Sequence, residues 1–173
     1  METEEKNQGL SPKEIYKFVS DRIYGQDRAV KAATMLLYNH IHAHKRNILF
    51  AGPTGCGKTE IWRVMSRLYP NIRIIDSTML TMQGWRGSFK VRDIFSSMSQ
   101  EEAEKVIIVF DEFDKFCEPL YGSNGTNYGA AAQNELLKLI EGGQIYFPAD
   151  KGKPALELDS SGISFVFCGS FER

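Results

Sequence analysis

The stretch from Ile48 to Trp62 reads ILFAGPTGCGKTEIW, and its reading decides the fold. Four residues of a buried strand run into a glycine-rich turn, which ends in Lys-Thr and opens a helical pattern. Gly52, Pro53, Thr54, Gly55, Cys56, Gly57, Lys58 and Thr59 fit the spacing G-x-x-x-x-G-K-[ST]. Each residue type has a physical reason. Glycines let successive backbone N–H groups turn inward toward phosphate oxygens. The following helix presents its positive N-terminus to the same anion. Lys58 adds a cation for the β and γ phosphates, and the Thr59 hydroxyl is an oxygen ligand for Mg²⁺. A chance glycine turn would not need a buried strand before it and a helix after it.

Working outward, strands and helices alternate. Ser11, Pro12 and Glu14 form the start signal of a helix, with a capping box and proline in the first turn. A second helix is expected from Asp27 to about Ala43, after a break at Gly25. Beyond the phosphate loop come a strand at NIRIID and a loop at LTMQGWRGS. A short helix at VRDIFSSM and the very apolar strand KVIIVFDE follow. A flexible loop at YGSNGTNYG precedes a helix over AAAQNELLKLIEG that stops at Gly142 and Gly143. A hairpin of GQIYFP with ALELD and a buried strand at ISFVFCGS complete the pattern. Apolar strands separated by helices predict an α/β fold, a three-layer α/β/α sandwich around a mainly parallel sheet. Residues 1–10 read as a disordered tail.

The strand at 106–110 ends in Asp111 and Glu112, which is costly unless the acids have work. At the carboxyl end of a parallel sheet, Asp111 would face the metal of the phosphate loop. Glu112 would orient and deprotonate an attacking water. Together with the phosphate loop, the pair points to hydrolysis of ATP or GTP.

Composition narrows the class. The chain has 173 residues, 21 basic and 22 acidic, for a net charge of −1. That balance offers no electrostatic case for nucleic acid or an anionic membrane. Cys56, Cys117 and Cys168 lack metal or disulfide spacing and read as reduced thiols of a cytoplasmic protein. No apolar run is long enough to span a membrane.

Several stretches together resemble the AAA+ protein unfoldases, the ATP-binding subunits of Clp-type proteases. IYGQDRAVKAATMLLYNHIHAHKRNILFAGPTGCGKT is similar to that family's V-I-G-Q opening and phosphate loop. IVFDEFDKF is similar to I-D-E-I-D-K-I, QNELLKLIEGG to Q-Q-A-L-L-K-L-I-E-G, and ISFVFCGSF to I-L-F-I-C-G-G-A-F. The resemblance covers roughly Ile23 to Phe171. It implies a P-loop NTPase of the AAA+ type, with ATP/ADP and Mg²⁺ as ligands. It implies that Ile23 and Tyr24, beside Gly25, line the adenine pocket. Lys58 and Thr59 would serve phosphate and metal, Asp111 the metal, and Glu112 the catalytic base.

The same resemblance assigns Gly84, Trp85, Arg86 and Gly87 to the substrate-gripping pore loop, with Trp85 as the aromatic and Arg86 as a departure from the family's valine. Cys168 and Ser170 stand where a sensor of the γ-phosphate is expected. Only Lys151 and Lys153 remain of the family's third, basic loop. The resemblance further implies protein substrates, a homo-hexamer when full length and a ClpP-like partner peptidase. It identifies residues 11–173 as the large, nucleotide-binding lobe, without the zinc-binding N-domain, the arginine finger and the helical lid. Little turnover is therefore expected from this chain alone. The readings that compete are an AAA+ motor or loader acting on nucleic acid, a self-contained P-loop kinase or NTPase, and an inactive nucleotide-binding scaffold.

Overall fold

The computed structural model describes residues 9–81, 89–121, 125, 127–149 and 152–171. Helix α1 (Pro12–Ser20) starts as its sequence demands. Ser11 accepts from the Glu14 amide, and the Glu14 carboxylate accepts from the Ser11 amide at 2.8 Å. Leu10 already packs on the core, so the expected tail of residues 1–10 is too long at that end. Helix α2 (Asp27–Ile41) follows a turn in which Gly25 takes φ +74°.

Strand β1 (Ile48–Ala51) leads through the phosphate loop to α3 (Lys58–Met65). Strand β2 (Ile72–Asp76) passes into a 3-10 turn (Ser77–Met79) and the two-residue strand β3 (Leu80–Thr81), which pairs with β4 (Phe89–Lys90). The expected short helix at VRDIFSSM is a 3-10 helix, Val91–Phe95. Helix α4 (Gln100–Glu104) carries a capping box from Ser99 and Glu102 that the sequence reading missed. Strand β5 (Ile107–Asp111) turns directly into α5 (Phe113–Phe116).

Helix α6 (Tyr128–Glu141) is capped by the Asn127 side chain and ends at Gly142 and Gly143, both at positive φ. The expected hairpin is present: β6 (Gln144–Phe147) runs antiparallel to β7 (Leu156–Asp159). A 3-10 turn (Ser160–Gly162) leads to β8 (Ser164–Gly169).

The central sheet has the order β1-β8-β5-β2, all parallel. Its residues divide cleanly between two faces, because successive side chains of a strand point opposite ways. Ile107, Val109, Val166 and Cys168 pack with α1, α2 and α3, around Leu37, Trp62 and Met65. Ile108, Phe110 and Phe165 pack on the other side with Leu136 and Leu139 of α6 and Phe147 and Leu158 of the hairpin. These two cores make the α/β/α layering. The register aligns Ala51 with Gly169 and Asp76 with Asp111. The carboxyl ends of the strands therefore meet along one edge, where ligands of such sheets bind.

Candidate nucleotide site

A cleft of about 250 Å³ opens at that edge. Thr54, Gly55, Gly57, Lys58 and Thr59 of the phosphate loop line one side, and Asp111, Glu112, Gly169 and Ser170 the other. The loop is held in left-handed conformations at Gly55 (φ +79°) and Gly57 (φ +89°), which glycine alone adopts without strain. Lys58 folds over its own loop, donating to the carbonyls of Gly52 at 2.6 Å and Pro53 at 2.8 Å.

Thr59 and Asp111 lie 52 residues apart and meet across the cleft. The hydroxyl donates to the carboxylate at 2.6 Å. Both are hard oxygen donors, the type magnesium takes together with phosphate oxygens, so this pair fits that ion. Glu112 sits at the corner between β5 and α5 with φ 52° and ψ 36°. A left-handed conformation costs a non-glycine residue about 1–2 kcal/mol, and such strain collects where a side chain must be aimed. The Glu112 amide donates to Asp111 at 3.1 Å, which ties the two acids together.

Behind this corner lies a brace. Asp114 is buried and accepts from the Ser170 amide at 3.2 Å and the Ser170 hydroxyl at 2.8 Å. Burial opposes its ionisation, but Ser170, its own amide and nearby Lys115 hold its carboxyl below the ordinary carboxylate range. A Cβ on Gly169 would come within 2.7 Å of the Asp114 carboxylate, so glycine is required for the close approach.

The two sensor candidates separate. Ser170 lines the cleft, but both of its donors are committed to Asp114. Cys168 is fully buried behind the loop; burial first, with Asp111 adding to it, pushes its thiol up to about 12. It is therefore a neutral packing group and not among the residues that line the cleft.

Ile23, Tyr24 and Gly25 also lie outside the lining. Ile23 packs on the α1–α2 core and Tyr24 is 85% exposed. Gln26 beside them, which the sequence reading did not single out, does reach the loop, donating to the Cys56 carbonyl at 2.8 Å. Glu60 and Arg63, paired at 3.3 Å on α3, also line the cleft. Their i, i+3 spacing after Lys58 was the available signal, but such a pair is usual on any exposed helix face. The pore-loop residues Gly84, Trp85, Arg86 and Gly87 lie outside the described residues, as does Lys151. Lys153 is not free for a partner: it pairs with the buried Asp93 at 2.6 Å.

Residues 48–160 match the AAA family, the "ATPase family associated with various cellular activities". With the phosphate loop and the strand-end acids in one cleft, the chain belongs to this family of P-loop NTPases. Among curated proteins it is 30% identical, over 187 aligned residues, to the ATP-dependent Clp protease ATP-binding subunit ClpX from two strains of Porphyromonas gingivalis. The alignments cover 93% of this chain and 45% of each relative, so the chain spans just under half their length. Among the described residues no helix is long and apolar enough to cross a membrane.

Proposed function

We propose that this chain is the large, nucleotide-binding lobe of an ATP-driven protein unfoldase. The observation that carries the nucleotide part is the Thr59–Asp111 contact, which closes the phosphate loop onto the acids at the end of β5. Lys58 and the loop amides hold the phosphates, and Thr59 and Asp111 hold Mg²⁺. That ion supplies charge neutralisation to the β and γ phosphates when bound. Glu112 takes the proton of the attacking water. The left-handed corner sets the direction of its carboxylate, and the Asp114–Ser170 clasp holds that corner against β8. Ile23 and Tyr24 flank the base, and the exposed Tyr24 ring is available to stack on it.

The unfoldase part is supported by the likeness to ClpX over 93% of the chain. On this reading six copies form a ring in the cytoplasm, Trp85 of each grips a substrate polypeptide in the central pore, and a ClpP-like peptidase receives it. A motor acting on nucleic acid is the weaker reading. The net charge of −1 gives it no electrostatic support, because binding along a phosphate backbone is driven by basic residues.

The first experiment is titration of the 173-residue chain with a fluorescent ADP analogue and Mg²⁺, beside steady-state ATP turnover. Binding with little turnover is expected, because trans-acting arginines in such NTPases contribute about 10³–10⁵ in rate. No binding by the wild type, or loss-free binding by Lys58→Ala, would overturn the site. Turnover of about 1 per second or more, independent of protein concentration, would favour a self-contained NTPase. In the full-length protein, Trp85→Ala should abolish ATP-dependent unfolding of a tagged fluorescent substrate while leaving ATP hydrolysis in place. Unchanged unfolding would remove the pore-loop assignment.

A further inference from the structure

Gln26 occupies the N-cap position of α2, with φ −121° and ψ 34°, yet its side chain makes no capping bond to the helix. Residues in that position ordinarily spend a side-chain oxygen on the first helical amides. Here the side chain is diverted. Its Nε2 donates to the Cys56 carbonyl at 2.8 Å, thirty residues away in the chain and partly buried. The bond joins the α1–α2 hairpin to the phosphate loop.

It arrives from behind. Gly55, Gly57 and Lys58 line the cleft, whereas Gln26 and Cys56 do not. The chain has no cis peptide among the described residues, so the carbonyl of Cys56 and the amide of Gly57 point in opposite directions across one planar unit. Holding the carbonyl outward toward Gln26 turns the Gly57 N–H inward, toward an anion in the cleft. Packing does not do this job. Gly55 and Gly57 both have positive φ, and a Cβ built on either would meet nothing within 4 Å. The Cys56–Gly57 peptide turns about ψ of Cys56 and φ of Gly57, and the glycine on its far side lets it rotate unless a hydrogen bond restrains it.

We propose that Gln26 is a positioning residue of the phosphate site, whose amide locks the Cys56–Gly57 peptide so that the Gly57 N–H faces the bound phosphate. This rests on the nucleotide-binding reading above. It gives the N-terminal helical hairpin a part in phosphate binding, and it ties phosphate occupancy to the Ile23–Gly25 segment that precedes Gln26.

The test is binding of Mg-ADP and of inorganic pyrophosphate to the wild type, Gln26→Met and Gln26→Glu, measured by calorimetry, with melting of the unliganded proteins alongside. Methionine keeps the length and apolar stem but has no donor. Glutamate is acceptor-only when ionised and faces a carbonyl. Both ligands should bind Gln26→Met about tenfold more weakly, the weight of one hydrogen bond, and Gln26→Glu more weakly still. The unliganded Gln26→Met should melt within about 4 °C of wild type, the shift that one lost hydrogen bond gives a domain of this size. Affinity within twofold of wild type, at a temperature where both are folded, overturns the proposal. So does a loss confined to ADP, which would place the effect at the base and not at the phosphate peptide. Failure of the wild type to bind either ligand would instead remove the nucleotide reading itself.

Discussion

Gly169 shows how one residue sets the spacing of the site. It ends β8 beside the β5–α5 corner, and its missing side chain is where the Asp114 carboxylate sits. The Ser170 amide and hydroxyl then clasp that carboxylate, and the corner bearing Glu112 is pinned to the neighbouring strand. In Gly169→Ala, the new methyl would lie 2.7 Å from the carboxylate oxygen and 3.0 Å from the Asp114 amide. Overpacking of this kind costs about 1–3 kcal/mol. The substitution should lower the melting temperature and weaken Mg-ADP binding together. A melting curve that superimposes on wild type would show that α5 shifts freely, and that the brace does not hold the corner. None of this was legible in the sequence. The motif around Asp111 and Glu112 announces its acids, but Asp114 and Ser170 are 56 residues apart and nothing local pairs them.

Lys45 plays the corresponding part for an element. It lies in the segment between α2 and β1, and its ammonium donates to the Ile140 carbonyl in the last turn of α6 at 2.9 Å and to Ser160 at 3.4 Å. The final carbonyls of a helix lack partners within it and carry its negative end, so a cation there is favourable. Burial moves the Lys45 ammonium below its usual range, and Asp159 partly opposes that. Lys45→Met should cost about 1 kcal/mol and speed amide exchange in the last turn of α6. Unchanged exchange at Leu139 and Ile140 would leave the glycine stop at Gly142 as a sufficient cap.

Other element ends were readable because their signals are local: the Ser11–Glu14 box, and Gly142 with Gly143. The Ser99–Glu102 box of α4 carries the same local signal and went unread, since four polar or acidic residues around a single alanine show no apolar periodicity.

His40 links three parts of the whole molecule at the end of the sheet opposite the cleft. From the last turn of α2 it meets the Ser164 hydroxyl at the start of β8 at 2.9 Å, and the Lys105 carbonyl ahead of β5 at 2.8 Å. The neutral ring satisfies both, with Nε2–H donating to the carbonyl and Nδ1 accepting from the hydroxyl. Burial lowers its pKa, and the Lys105 carbonyl only partly offsets that. The sign follows from proton binding. The unfolded chain takes up a proton near the ordinary histidine value of about 6.5, before the folded chain does. The stability this ring contributes is therefore complete above that value. It declines as the pH falls toward and through the lowered folded value.

Chemical denaturation between pH 8 and 5 should show this loss in the wild type. His40→Gln should be less stable at pH 8, by about 1–3 kcal/mol for two lost hydrogen bonds, with a flatter pH dependence. Parallel pH dependence in the two proteins would place the acid sensitivity elsewhere.

The phosphate loop, the paired acids and the alternation of strands with helices were all written in short stretches of chain. Each depends on neighbours within about a dozen residues, and backbone chemistry allows them few alternatives. Strand order, the meeting of Thr59 with Asp111, the clasp of Asp114 by Ser170 and the reach of Gln26 to Cys56 came from packing. These contacts join residues 30 to 56 positions apart. A parallel sheet brings distant strand ends to one edge, and only the folded register determines which side chains arrive there together.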